Sequence, residues 1–286
     1  LPANLLVRLA KMANLKATGN ELPNRDFSRM DLSKVRQLDT ASWIGVLPLG
    51  ATEQHGPHLP LETDTLIANG VVERLKSALP QELAVSFLKT EPVGYSPEHL
   101  DYAGTKSLTY QEAIERWISI GENLNSLGIR KLVLLNAHGG NSPMMTIVAT
   151  ELRVRFSMLC VVTSWTRIGR PKGVIDESKA SIDIHGGDIE TSVMLALHPD
   201  KVKMSKAADF GSEQTRLLQE NTYLHAYGRH AFGWKMQDLN PIGVTGDAKA
   251  ASAEKGEKLL EYSVKGLIQL FAEVDRFDVS VFDRSI

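Results

Sequence analysis

A single cysteine, Cys160, stands in a chain of 286 residues. One thiol excludes an internal disulfide and any cysteine-rich zinc module. It fits a reducing compartment, so a cytoplasmic location is expected. Long apolar runs are also missing: no stretch reaches the ~18 consecutive apolar residues of a membrane span. Neither sign of charge dominates, since 32 basic against 34 acidic residues leave a net −2. Nothing in that balance points to nucleic acid or an anionic membrane as a partner. Repeats, low-complexity tracts and a Pro/Gly/Ser-rich linker are absent, which favours one domain over two. The hydrophobic fraction of 43% and charged fraction of 23% exclude a disordered or collagenous chain. A globular chain near this size buries roughly 75% of the surface its unfolded form exposes, enough for one large core.

What is present is an alternation of short apolar runs and helical stripes. Trp43–Leu49, Ala84–Leu88, Leu132–Leu135 and Met158–Ser164 read as buried strands. Thr63 or Asp64 starts a helix carrying Ile67, Val71, Leu75 and Leu79. Ile114, Trp117, Ile118, Gly121 and Leu124 mark a second helical face, with Gly128 at its C-terminal cap. Met145–Phe156 and Glu190–Leu197 read as helices. Leu260, Val264, Leu267, Phe271 and Val274 form the stripe of a last one. The pattern predicts an α/β layered fold with a largely parallel sheet. Ligands of such sheets gather at the carboxyl ends of the strands. Residues 1–40 read as an N-terminal extension packed on the body or on a neighbouring subunit, with Leu5, Leu6, Leu9 and Met12 at helical spacing. Leu1 in place of a methionine is read as processing or trimming.

Three polar clusters fall where strands end. The first holds Glu53, His55, His58 and Asp64 within positions 53 to 64. Glu and His of this kind suit Zn²⁺, Mn²⁺ or Fe²⁺. Glu53 and His55 project the same way from an extended segment; a polar loop with incidental histidines is the other reading. The second, Asn136-Ala137-His138-Gly139-Gly140-Asn141, places a histidine between a buried strand and a glycine pair, which a tight turn alone also requires. The third, His185-Gly186-Gly187-Asp188-Ile189-Glu190, puts Glu190 in the first turn of a helix, where the dipole favours a carboxylate anyway. Chance seldom places His and carboxylate pairs in three glycine turns of one chain. Two divalent ions bridged by one carboxylate use about five such side chains. His99 reads as a substrate contact or as a satisfied loop histidine. His198, His225 and His230 read as helix-end or surface residues, and Cys160 as a buried, inert thiol. Gly243–Asp247 reads as a turn into the last helix, and Tyr227, Trp234 and Met236 as a lid or as core.

Leu47-Pro48-Leu49-Gly50-Ala51-Thr52-Glu53-Gln54-His55-Gly56-Pro57-His58-Leu59-Pro60-Leu61 with Asp64-Thr65 resembles the signature of the creatininase (creatinine amidohydrolase) family. Asn136–Asn141, His185–Ser192 and Ser96–Thr105 resemble further family blocks, so the resemblance runs from about Trp43 to Leu270. It implies a three-layer αβα sandwich with a mostly parallel central sheet, and 41–286 as the hydrolase domain. It also implies two divalent metal ions per chain, zinc first with manganese or iron(II) as alternatives, and a homo-oligomer, commonly a hexamer. Carried over, Glu53, Asp64 and His138 bind one metal, and His55 with Asp64 the other, Asp64 being the bridge. His185 matches the catalytic histidine and Ser96 a substrate-contacting serine. The chain departs from creatininase in two places. Gly139-Gly140 replaces a Tyr-Glu pair whose Glu binds the second metal, and Ser181–Ile184 replace a tryptophan and acidic residues. These departures point away from creatinine and toward relatives acting on other amides, such as formamidopyrimidine deformylases and a peptide-trimming member. Glu190 is the expected replacement ligand.

The reaction expected from these residues is hydrolysis of a non-peptide C–N bond in a small cyclic amide or formamide. A metal-bridging hydroxide attacks and His185 protonates the leaving nitrogen. The rivals are a family member that opens a sugar ring, keto-cyclitol or lactone, and a metal-binding scaffold without turnover.

Overall fold

Ile44–Leu49 and Lys131–Asn136 are apolar along nearly their whole length and are buried throughout. Uninterrupted runs of this kind suit strands covered on both faces. The computed structural model describes residues 21–283. In it β1 (Ile44–Leu49), β2 (Val85–Phe87), β3 (Lys131–Asn136) and β4 (Leu159–Ser164) form a sheet in the order β2-β1-β3-β4. All three pairings are parallel. Five long helices flank the sheet: α1 (Thr63–Ala78), α2 (Tyr110–Ser126), α3 (Ser142–Phe156), α4 (Asp188–Leu197) and α5 (Ala253–Arg276).

Alternation along the strands divides the core in two. Ile44, Val46, Val133 and Leu135 face one way, into a cluster with Ile67 and Leu75 of α1, Val193 of α4 and Leu267 and Phe271 of α5. Leu47, Leu49, Leu132 and Leu134 face the other way, against Trp117 and Leu124 of α2 and Val148 and Leu152 of α3. The period of two therefore builds an αβα sandwich directly. A fully buried Leu, Ile or Phe contributes about 1.5–3 kcal/mol, so the two layers dominate the stability. The strand and helix expectations hold to within a few residues. Gly128 follows α2 with φ +81°, the left-handed conformation a helix C-terminal glycine adopts without strain.

Residues 24–26 lie along the outer side of β2. The Phe87 N–H donates to Arg25 O, and the Ser86 hydroxyl to Asn24 O. The helix expected around Leu5, Leu6, Leu9 and Met12 lies outside the described residues. Among the described residues no helix is long and apolar enough to cross a membrane. Met236 is fully buried, Trp234 partly so, and Tyr227 is exposed.

Candidate active site

Parallel strands end on the same side, so the loops after them share one face of the sheet. β1 and β3 are neighbours, with Leu49 opposite Asn136. Glu53 and His55 follow β1, Asp64 opens α1, Ser96 to His99 follow β2, and His138 follows β3. His185 precedes α4 and Glu190 lies in its first turn. The Asn141 side chain ties three of these loops together. Its amide donates to Gly50 O at 3.1 Å and Asn136 Oδ1 at 3.0 Å, and its oxygen accepts from Tyr95 N at 2.9 Å. Thr245 N donates to His185 O at 2.9 Å and fastens the last loop. The Gly243–Asp247 turn is thus also a clamp on the site.

Glu53 is wholly buried and sits at the centre. Its Oε1 lies 3.2 Å from His138 Nδ1, 3.4 Å from His99 Nε2, 3.6 Å from His185 Nδ1 and 4.0 Å from His55 Nε2. The Asp64 carboxylate spans two rings, with Oδ1 at 3.4 Å from His55 Nε2 and Oδ2 at 3.5 Å from His138 Nδ1. Glu190 Oε2 lies 3.9 Å from His55 Nε2 and accepts from Gly186 N at 2.6 Å.

The outer nitrogens of three of these rings assign their tautomers. His55 Nδ1 is 3.0 Å from Glu53 O, His138 Nε2 is 2.9 Å from Tyr95 O, and His185 Nε2 is 2.7 Å from Gln54 O. A carbonyl only accepts, so each outer nitrogen donates and each neutral ring turns a bare lone pair inward. Those lone pairs face the oxygens of Glu53, Asp64 and Glu190. Lone pair against carboxylate is repulsive unless a proton or a cation lies between them.

Shifts in proton affinity follow the same charges. Burial works to lower His55, but Asp64, Glu190 and Glu53 outweigh it and raise the ring to about 9. His138 is likewise raised well above its ordinary value, because Glu53, Asp64 and Glu98 outweigh its burial. His185 falls well below, through burial and the neighbouring His55 and His99. Burial also takes His99 down to about 4. Glu190 rises to about 7, chiefly by burial, with Asp64 adding and His55 opposing. Glu53 is held well below its ordinary value, the surrounding histidines outweighing complete burial.

The donor set fits divalent cations. Glu53 Oε1 and Oε2, His55 Nε2 and Asp64 Oδ2 are buried without a hydrogen-bond partner. Three groups have ligand atoms within 4.8 Å of one another: Glu53, His55 and His185; Glu53, Glu98 and His138; and His55, Asp64 and Glu190. Mixed imidazole and carboxylate ligands suit Zn²⁺, Mn²⁺ or Fe²⁺. Backbone carbonyls behind each ring supply the orienting contacts that metal-bound histidines use.

Every residue singled out from the sequence as a site residue lies in this cluster. Ser96 is fully buried, with Oγ 3.2 Å from His138 Nε2. His58, part of the first polar cluster, turns away from it; Nε2 meets Thr191 Oγ1 at 2.9 Å and the ring stacks on Phe210. Sequence reasoning missed Glu98. A helical turn, Pro97–His99, brings its carboxylate to 3.8 Å from His138 Nε2. Its position beside His99 was the available signal. Reasoning also missed Gln54, which lies between two singled-out residues.

The sequence matches the creatininase model (creatinine amidohydrolase) over residues 28–271. A mycofactocin precursor peptide peptidase from Mycobacterium tuberculosis is 34% identical over 242 residues, covering 82% of this chain and 87% of that one. A 3-dehydro-scyllo-inosose hydrolase from Thermotoga maritima is 28% identical, covering 84% and 81%. The creatinine amidohydrolase of Pseudomonas putida is 27% identical, covering 80% and 88%. Among solved structures, a mutant creatininase of Zn-Zn type superimposes with a TM-score of 0.70 at 26% identity, covering 88% of this chain and 98% of that chain. A manganese creatininase gives 0.68 at 25%, covering 88% and 98%. With this extent of likeness, and with the signature residues gathered at one end of the sheet, the chain belongs to the creatininase family of amidohydrolases.

Proposed function

We propose that this protein is a binuclear metal-dependent hydrolase of a non-peptide C–N bond, in a cyclic amide or formamide other than creatinine. The observation that carries the reading is the convergence of three inward lone pairs on the Glu53, Asp64 and Glu190 carboxylates. Glu53, Asp64 and His138 would hold one ion, and His55, Asp64 and Glu190 the other, with Asp64 shared. Two such ions, when bound, supply a water of lowered pKa and positive charge for a carbonyl oxygen. His185 keeps its outer N–H on Gln54 O, so its inner Nδ1 is free to take the proton of the attacking water and pass it to the leaving nitrogen. Ser96 and His99 lie beside this path and would meet the substrate. Gly139 and Gly140 stand where creatininase has its Tyr-Glu pair, which argues against creatinine. The protein would work in the cytoplasm as a homo-oligomer, a hexamer by family likeness, with residues 1–40 an addition to the catalytic unit at 41–286.

A peptide amide is the second reading, favoured by the 34% identity to a peptidase. Zinc- and manganese-loaded protein assayed on formamides, cyclic amides, creatinine, short peptides and keto-cyclitols separates these readings. Turnover of formamides or cyclic amides above creatinine is expected, and turnover of peptides or keto-cyclitols alone replaces the proposal. Asp64→Ala should lose both metals and activity. Two ions per chain retained in that variant, by elemental analysis, would show that Asp64 is not the bridge.

A further inference from the structure

Four imidazoles surround Glu53 Oε1, and one of them is wired the opposite way from the rest. His55, His138 and His185 donate outward to carbonyls and face inward with lone pairs. The outer nitrogen of His99, Nδ1, meets instead the side-chain amide of Gln54 at 2.9 Å. Two other contacts fix which way that amide points. Its oxygen accepts from Gly56 N at 2.9 Å, and its nitrogen donates to Gly243 O at 2.8 Å. The second amide hydrogen is therefore the one given to His99, whose Nδ1 accepts it. The proton of the neutral ring must then sit on Nε2, the atom that faces the centre of the site, 3.4 Å from Glu53 Oε1. Burial of His99 and Gln54 keeps water from competing for either contact.

Resting on the hydrolase reading, we infer that His99 is the hydrogen-bond donor for the oxygen that becomes negative during hydrolysis. Gln54 is the positioning residue that keeps the donor pointed inward. A ring in this tautomer has no inward lone pair for a metal. A fixed N–H in a site shut off from water is suited to a developing oxyanion, because it needs no reorientation as charge appears. A neutral imidazole also donates without losing its proton, so His99 returns unchanged after each turnover. The division of labour is then complete: His185 carries the proton and His99 holds the charge.

Two measurements test this. Zinc-loaded protein carrying ring-¹⁵N histidine, with His99 assigned by its loss in His99→Gln, should show a bare Nδ1 and a protonated Nε2 at pH 7. Calorimetry with methylphosphonate, a tetrahedral oxyanion mimic, should show binding weakened roughly 10- to 100-fold in His99→Ala. His99→Gln, which keeps an N–H near the same place, should recover most of that loss, and both variants should retain two zinc ions. In Gln54→Leu the ring signals should show both tautomers. An unprotonated Nε2 overturns the inference. So does methylphosphonate binding undiminished in His99→Ala, or loss of zinc in His99→Gln. Wild-type protein that takes up no metal overturns the hydrolase reading as well; wild type that loads two ions while failing any of the other tests overturns this inference alone.

Discussion

His55 meets Asp64, Glu190 and Glu53 through its inner nitrogen, and their charges hold a proton there up to about 9 in the metal-free protein. Because the folded value lies above the ordinary 6.5, the stabilisation is fully present below about 6.5 and is lost as pH rises through about 9. A divalent ion needs the same lone pair. Metal uptake at pH 7 should therefore expel protons, and apparent affinity should rise between pH 7 and 9. Zinc titration calorimetry in buffers of differing ionisation enthalpy measures the release; no proton exchange would contradict it. His185 behaves differently, since burial and its neighbours keep it neutral. His185→Ala should keep both ions and lose about 10²- to 10⁴-fold in turnover. Full activity in that variant would remove the ring from the reaction.

The packing of the loops leaves no room for a side chain at Gly140. A Cβ there would run into His138 Nε2 and the Tyr95 carbonyl, and lie 2.8 Å from Glu98 Oε1. The Ser96–His99 loop occupies the space a longer side chain would need. Gly140→Ala should break the contact between His138 and Tyr95 O and weaken zinc binding about 10- to 100-fold, with circular dichroism unchanged. Zinc affinity equal to wild type would show that the close approach does not matter. Farther from the site, Phe271 of α5 is fully buried and meets Phe87 edge-on, with centroids 6.3 Å apart. Phe271→Ala should cost about 3–5 kcal/mol, read as a lower urea midpoint, while zinc stoichiometry stays at the wild-type value.

Across the whole molecule, periodicity carried the layers and the polar clusters carried the site. The unbroken apolar run Leu132–Leu135 already implied two buried faces, and the glycine turns after β1 and β3 already held the candidate ligands Glu53, His55 and His138. What pattern could not supply was orientation. Glu98 reaches the cluster only because β2 ends beside β1, and Gln54 acquires a role only when the His99 loop and Gly243 close around it. Residues 24–26 also gave no sign of their partner. Arg25 donates to Leu83 O at 2.5 Å and Val85 O at 3.0 Å, and Asp26 bridges to Phe87. Removing residues 1–40 should uncover the outer side of β2 and produce aggregates visible by light scattering. A monodisperse truncated protein would show that side to be harmless.

Among the described residues the sheet thus has one border screened by another segment and one that no strand joins. Among the described residues no strand pairs with the far side of β4, whereas β2 is screened by the Asn24–Asp26 stretch. Ribbon-like growth needs two free margins, one to give and one to receive. Because no strand among the described residues joins this sheet at β4, strand addition between copies through β4 would join like to like about a two-fold axis and stop at a pair, a built-in terminator against fibre growth by this sheet.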